Sequence, residues 1–441
     1  MKDPLAYLMR PIPRNLFRIL LVAYLLLRLY MATLPGYVND VQSYKRWALG
    51  TAISGVSAAY ETTGVDYPPL FLYVLWGLGK AYLIVAEPTA AGNVPDSVLL
   101  TFLIKSPHLV FDLLLGAALY WIVGRSGLWG PDRSGAGWGR LVAAIYLWNP
   151  AVLFGSAYWG QPDGIHSFLA VVSVALLGAG RLAGSGALLA MAALMKPLAA
   201  PLVPLLAATA ALRGRLPGFV AAGSGGLLAA LVSFLPFIVS GRIVGVLRKV
   251  IFDVEVMPFT SVNGHNLWWL IGSWQNANAP LLGPLTPKQI ALFLFGCAYL
   301  ALLARSAAWL RGDGLDDVVY RARIFRLAAA TTATFFFLST HMHENHLFMA
   351  LPLLLAVAGR DVRGPWLVAG CSAALLVNMA LHDPLLPHAL PFGLSASSPF
   401  GDPHLGRPYT WLQVFGSFFN TLLAGAVACG AYAAAWRTPR G

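Results

Sequence analysis

The chain is poor in charge: Asp, Glu, Lys and Arg make up 11% of its 441 residues, against 58% hydrophobic residues and a mean hydropathy of +0.67. A soluble protein of this length could neither hide so much apolar surface nor dissolve with so few charges, so that class is excluded. Cysteine is scarce too. Cys297, Cys371 and Cys429 lie far apart inside apolar stretches, with no Cys-x-x-Cys pair, and read as small core residues. There is no internal repeat of fixed period, and no polar stretch long enough for a separate soluble domain.

What is present is apolar length. Blocks of about 20 residues, enough to cross a bilayer, recur throughout, so the sequence reads as an all-α polytopic protein with one integral membrane domain over 1–441. Lys2, Arg10 and Arg14 precede the first run, 16–34. That run is too long for a signal peptide and no small-residue cleavage site follows, so it is expected to remain as a first helix with its amino end in the cytoplasm. Later blocks cover 67–86, 98–123, 141–158, 164–180, 187–212, 218–239, 289–303, 324–340, 347–358, 366–381 and 411–435. Breaks near Gly77-Leu78-Gly79 and Lys196-Pro197 put the expected total at about 11–13 spans. An amino-terminal module, 16–212, carries a first outer loop at 35–66; the remainder, 213–441, carries outer loops at 240–288, 341–346 and 382–410.

The formal net charge is +12, yet no basic stripe interleaves with aromatics as single-strand nucleic acid binding would need. Arg and Lys gather between apolar blocks instead, as the positive-inside bias requires. Arg305, Arg311, Arg321, Arg323 and Arg326 place 312–326 inside, which sends His341–His346 to the outer face. Arg360 and Arg363, then Arg437 and Arg440, mark two more inner segments. Arg125, Arg133 and Arg140 argue for an inner loop where simple alternation gives an outer one. Either 67–96 enters and leaves on one side, or the bias fails there.

Polar residues are unusually dense in the outer segments. Asp40 follows the first helix at the water–lipid boundary, where a carboxylate can take a proton from a sugar hydroxyl while a lipid-borne partner approaches; a solvated loop Asp is the bland alternative. Asp66-Tyr67-Pro68-Pro69-Leu70 fixes the backbone at a helix start, with Asp66 a possible cap. His341-Met342-His343-Glu344-Asn345-His346 holds three of the nine histidines. His343 and His346 at i, i+3 suit a metal, the imidazoles suit an anionic leaving group, and a polar turn explains the segment equally simply. The spacing is one residue short of His-Glu-x-x-His, which argues against a protease. Lys105 and Asp112 stand two helical turns apart on one face, either neutralising each other or serving an anionic ligand.

Together these residues resemble the GT-C glycosyltransferases, most of all the dolichyl-phosphate-glucose-dependent glucosyltransferases of N-glycan assembly. Trp159-Gly160-Gln161-Pro162-Asp163, Lys196-Pro197 and Asn263-Gly264-His265-Asn266-Leu267-Trp268-Trp269 also look like the prokaryotic polyprenyl-phosphate-hexose members. The similarity keeps its order from about Leu16 to Pro352. It implies an inverting enzyme that takes a hexose from a polyprenyl-phosphate carrier on the outer face of a prokaryotic cytoplasmic membrane and passes it to a lipid-linked or envelope glycan, with no metal and no further cofactor. Asp40 matches the family's base. Asp66 and Tyr67 match the donor pocket, Lys105 a position near the lipid phosphate, and His341, His343 and Glu344 the late motif. The family often has Lys where this chain has Asn345, leaving His346 to compensate. Asp112, Gln161, Asp163, Lys196, Asn263 and Asn266 are expected in support. The rival reading is a multi-pass transporter or lipid-glycan flippase, which would concentrate charge near mid-membrane.

Overall fold

The computed structural model describes residues 10–86, 97–252, 257–310, 316–386, 397–402 and 407–436; Lys2, Arg311, Arg437 and Arg440 lie outside them. The described chain is predominantly helical, with one two-stranded hairpin, Ser397–Asp402 against Arg407–Thr410. We label the principal helices α1 (Arg14–Ala32), α2 (Val38–Ser54), α3 (Pro69–Val85), α4 (Val98–Ser126), α5 (Ala136–Leu147), α6 (Asp163–Gly178), α7 (Leu182–Met195), α8 (Leu202–Val239), α9 (Pro287–Leu310), α10 (Asp317–Leu338), α11 (Ala350–Val357), α12 (Gly364–Leu381) and α13 (Trp411–Trp436).

The core sits where α6, α10 and α11 meet, and every residue of α11 is buried. Outer helices turn their apolar faces outward: Leu16, Ile19, Val22 and Leu26 of α1, and Leu227, Leu228, Leu231 and Leu235 of α8, are all exposed. A protein surrounded by water would not leave such continuous apolar stripes uncovered; lipid covers them. Such helices mark an integral membrane protein. Among the described residues, six helices are long and apolar enough to cross a bilayer, or seven if α5 and Pro150–Trp159, bent by 45°, count as one. The sequence reading of 11–13 is larger because several apolar blocks fold as shorter or broken pieces. The 187–212 block stops at Lys196, whose extended backbone precedes Pro197, and α8 is kinked at Arg215, where φ is +53°.

Contacts between loops define two ends. Arg133 donates to the Gly359 carbonyl, Arg360 to Leu128, Arg213 to Gly178 and Arg326 to Asp361, which gathers the arginine-rich loops at one end. The loop holding Arg125 and Arg133 belongs there, as its charge suggested. Tyr67 and Lys105 both reach the opposite end, so the stretch 67–97 starts and finishes on one side.

The first outer segment is not the loop expected from sequence. Val41, Tyr44, Ala48 and Ala52 recur at helical spacing and bury one face of α2. Along α3, Gly79 sits against the Ala48 carbonyl, an approach only glycine permits.

Inside the bundle, Arg28 and Asp112 form a buried ion pair at 2.9 Å, and Asp112 also accepts from Ser156 at 2.5 Å and Tyr146 at 2.8 Å. Asp112 therefore answers to Arg28 rather than to Lys105, which removes mutual neutralisation, one of the two alternatives for these residues of α4. Removing one partner of such a pair leaves a bare charge in a dry interior, at a cost of about 3–5 kcal/mol. Arg28→Met is expected to lower the unfolding temperature in detergent markedly, and Arg28→Met with Asp112→Leu to recover part of the loss. Thermal unfolding followed by circular dichroism measures both.

Candidate functional site

The turn after α1 is built by close packing. Gly36 has φ +77°, and a Cβ there would stand 2.8 Å from the Tyr158 and Trp159 carbonyl oxygens. The next amide, Tyr37, donates to the Trp159 carbonyl at 3.1 Å, while its ring stacks on Trp159 with centroids 4.6 Å apart. Asp40 then falls in the first turn of α2, where the helix dipole favours a carboxylate.

Lys105 locks this turn. Its buried ammonium donates to the carbonyls of Leu34 (2.7 Å), Tyr158 (2.8 Å) and Met31 (3.5 Å). An ammonium has three hydrogens, and here three carbonyls accept them. Lys105 thus ties the end of α1 to the turn that leads to Gln161. The phosphate contact that the resemblance implied would require it to give up a carbonyl.

Gln161, Asn345, Asp163 and Lys196 form the hub. The Gln161 amide donates to Asp40 Oδ2, and its Oε1 accepts from Asn345 Nδ2 at 2.9 Å. Asn345 Nδ2 also donates to Asp163 Oδ2 at 2.6 Å, and Lys196 Nζ to Asp163 Oδ1 at 2.7 Å. Tyr44 lies one helical turn beyond Asp40; its hydroxyl is 3.2 Å from that of Tyr67 and 3.5 Å from Gln161 Oε1. Residues 40 and 345, three hundred positions apart, therefore meet through one glutamine. Burial pushes the Asp40 carboxyl up to about 6, against the downward pull of the Gln161 hydrogen bond and the Lys196 charge. Asp40 Oδ1 has no hydrogen-bond partner among the described residues.

The late motif is fastened to the segment 259–276. His341 has φ +64° and its amide donates to the Phe259 and Thr260 carbonyls, while the Met342 carbonyl accepts from Val262 and Gly264. Asn263 donates to Glu344 Oε1 at 3.0 Å, and its own oxygen accepts from Trp274 at 2.8 Å and from the Tyr409 hydroxyl. From behind, Asn378 donates to the Asn263 carbonyl at 2.6 Å. Asn266 caps the short helix Leu267–Ile271 and donates to the Ser339 carbonyl at 2.8 Å, a local structural role.

Two further expectations change. His343 and His346 do not share a helical face: they lie in turns before α11, the His343 amide donating to His346 Nδ1 at 3.2 Å. Burial also holds His341 down at about 4 and His346 well below its ordinary value, which disfavours the cationic form of both. Among the described residues no group of three or more His, Cys, Asp or Glu is arranged to hold a metal ion. Asp66 is exposed and does not cap α3, whose cap position is Pro68; the charges of Lys249 and Arg46 act on it.

Sequence reasoning missed Tyr44, Trp274, Tyr409 and the bracing role of Asn345. Tyr44 alone left a signal, its spacing of one helical turn from Asp40. Compared with known proteins, the chain matches no family model and no curated protein.

Gln161→Leu removes the donor that lowers the Asp40 pKa, so that pKa should rise above about 6. An infrared titration of the carboxyl band, with Asp40→Asn to assign it, measures the shift. Lys105→Met orphans three carbonyls and should cost about 1–3 kcal/mol of stability, read by thermal unfolding in detergent.

Proposed function

We propose that this chain is an inverting hexosyltransferase that moves a hexose from a polyprenyl-phosphate carrier to a hydroxyl of a lipid-linked or envelope glycan, on the outer face of a prokaryotic cytoplasmic membrane. The observation that carries the reading is the setting of Asp40. Its carboxylate stands at the end of the bundle opposite the arginine-rich loops, one oxygen oriented by Gln161 and the other without a partner among the described residues. That is what a general base at a lipid–water boundary requires.

In the reaction, the acceptor oxygen attacks the anomeric carbon from the face opposite the phosphate. A new glycosidic bond forms, the bond from that carbon to the phosphate oxygen breaks, and the leaving phosphate keeps the electron pair. The acceptor proton passes to Asp40, and the configuration inverts. The leaving group carries negative charge already, so it needs cations rather than an acid. With Lys105 committed to carbonyls and burial disfavouring the charged form of His341 and His346, we assign that task to Arg46 and Lys249, the cations whose charges reach Asp66. The charges that a transport route would use, Lys105, Asp112 and Lys196, each have protein partners: backbone carbonyls, Arg28 and Asp163 respectively.

Purified protein, a short-chain polyprenyl-phosphate hexose and a set of glycan acceptors test the reading. Asp40→Asn should abolish turnover and keep donor affinity; normal turnover in that variant would sink the assignment. Arg46→Ala and Lys249→Ala should raise the donor KM several-fold. A base works only when ionised, so kcat/KM should fall about tenfold per pH unit below about 6 and level off above it.

A further inference from the structure

At the arginine-rich end, away from Asp40, three helices border an open hollow. Trp121, Arg125 and Ser126 of α4, Ala175 of α6, and Arg321 and Phe325 of α10 line a hollow of about 260 Å³. Its walls combine two guanidinium groups with aromatic and aliphatic surface.

Neither guanidinium is fully satisfied. Arg125 lies over the Trp121 ring, 3.9 Å from its centroid, with no hydrogen bond among the described residues. Among the described residues Arg321 reaches only Asp317, at 3.7 Å, a carboxylate that is 70% exposed, and the buried Nε of Arg321 has no hydrogen-bond partner there. The third wall adds no charge, because α6 presents Ala175 and Gly178 there, the latter packed against the Arg321 stem. The cavity is therefore basic, with one weak and solvated counter-charge.

Its position narrows the ligand. Trp121 is 53% exposed on a helix that spans the bilayer, and Arg125 follows it by one turn near the carboxyl end of that helix. Tryptophan and arginine at a helix end mark the headgroup level. A basic hollow between helices on an arginine-rich side suits an anionic headgroup, and the outward Trp121 surface suits an acyl chain. A free inorganic anion would use the guanidiniums and nothing of that apolar wall.

We propose that this cavity binds one anionic glycerophospholipid, its phosphodiester between Arg125 and Arg321 and an acyl chain along Trp121. The site is independent of glycosyl transfer. At the headgroup surface each arginine contributes about a fivefold preference, so the pair contributes about 25-fold.

Native mass spectrometry of the full chain from mixed micelles tests this, with phosphatidylglycerol and phosphatidylcholine as competing lipids. One phosphatidylglycerol should remain per chain. Arg125→Gln and Arg321→Gln should each weaken its retention about fivefold, and the double variant about 25-fold; Arg242→Gln, at the other end, should leave it unchanged. Arg125→Gln, at an exposed position, keeps the test valid if the double variant does not fold. Equal retention of the two lipids, retention unaltered in Arg125→Gln, or displacement of the lipid by inorganic phosphate would each overturn the proposal.

Discussion

The interior of a bilayer offers no water, so each polar group carried into this bundle must find its partner within the protein. Two networks answer that constraint. Around Asp112, the Arg28 guanidinium and the hydroxyls of Ser156 and Tyr146 saturate the carboxylate, and the result is an anchor between α1, α4 and the bent segment after α5. Around Asp163, Lys196 and Asn345 do the same for a second carboxylate. Asp40 is treated differently. Gln161 holds one oxygen and the other is left over, while burial raises the proton affinity to a range useful near neutral pH.

Irregular backbone is concentrated where this difference is made. Asn263, Trp274 and His341 have positive φ, and they are three of the four non-glycine residues with that property among the described residues. The π-helical turn Leu153–Trp159, Gly36 and the break at Lys196-Pro197 flank the same hub. Regular helices present side chains in fixed rows, so converging groups from distant segments need turns that depart from those rows. Such turns survive at membrane depth only when protein satisfies their amides and carbonyls. Lys105 does part of that work with three carbonyls, and the Met342 carbonyl, accepting two amides, does another part.

Several members of the site were legible as residues before their contacts were known. Asp40, Gln161, Asp163, Lys196, Asn263 and Glu344 stood out because polar side chains are rare in so apolar a chain, and the fold brings them to one end. Their partners were not legible. Lys105 and Asp112 share a face of α4, yet one turns to carbonyls of α1 and the other to Arg28, because neighbouring helices supply better partners than the next turn does. The charge of the histidines was equally hidden, since it depends on burial rather than on spacing.

Apolar run length and the scarcity of charge decided that this chain is helical and membrane-embedded, since only helices and closed barrels satisfy their own backbone in lipid. The clustering of arginines in short loops decided which loops share an end. Tertiary structure alone decided that residue 40 and residue 345 meet through Gln161, and that Lys105 is spent on backbone carbonyls. The reason is physical: hydropathy accumulates along the chain and can be read locally, whereas a hydrogen bond reaches only about 3 Å and depends on which segments the packing places side by side.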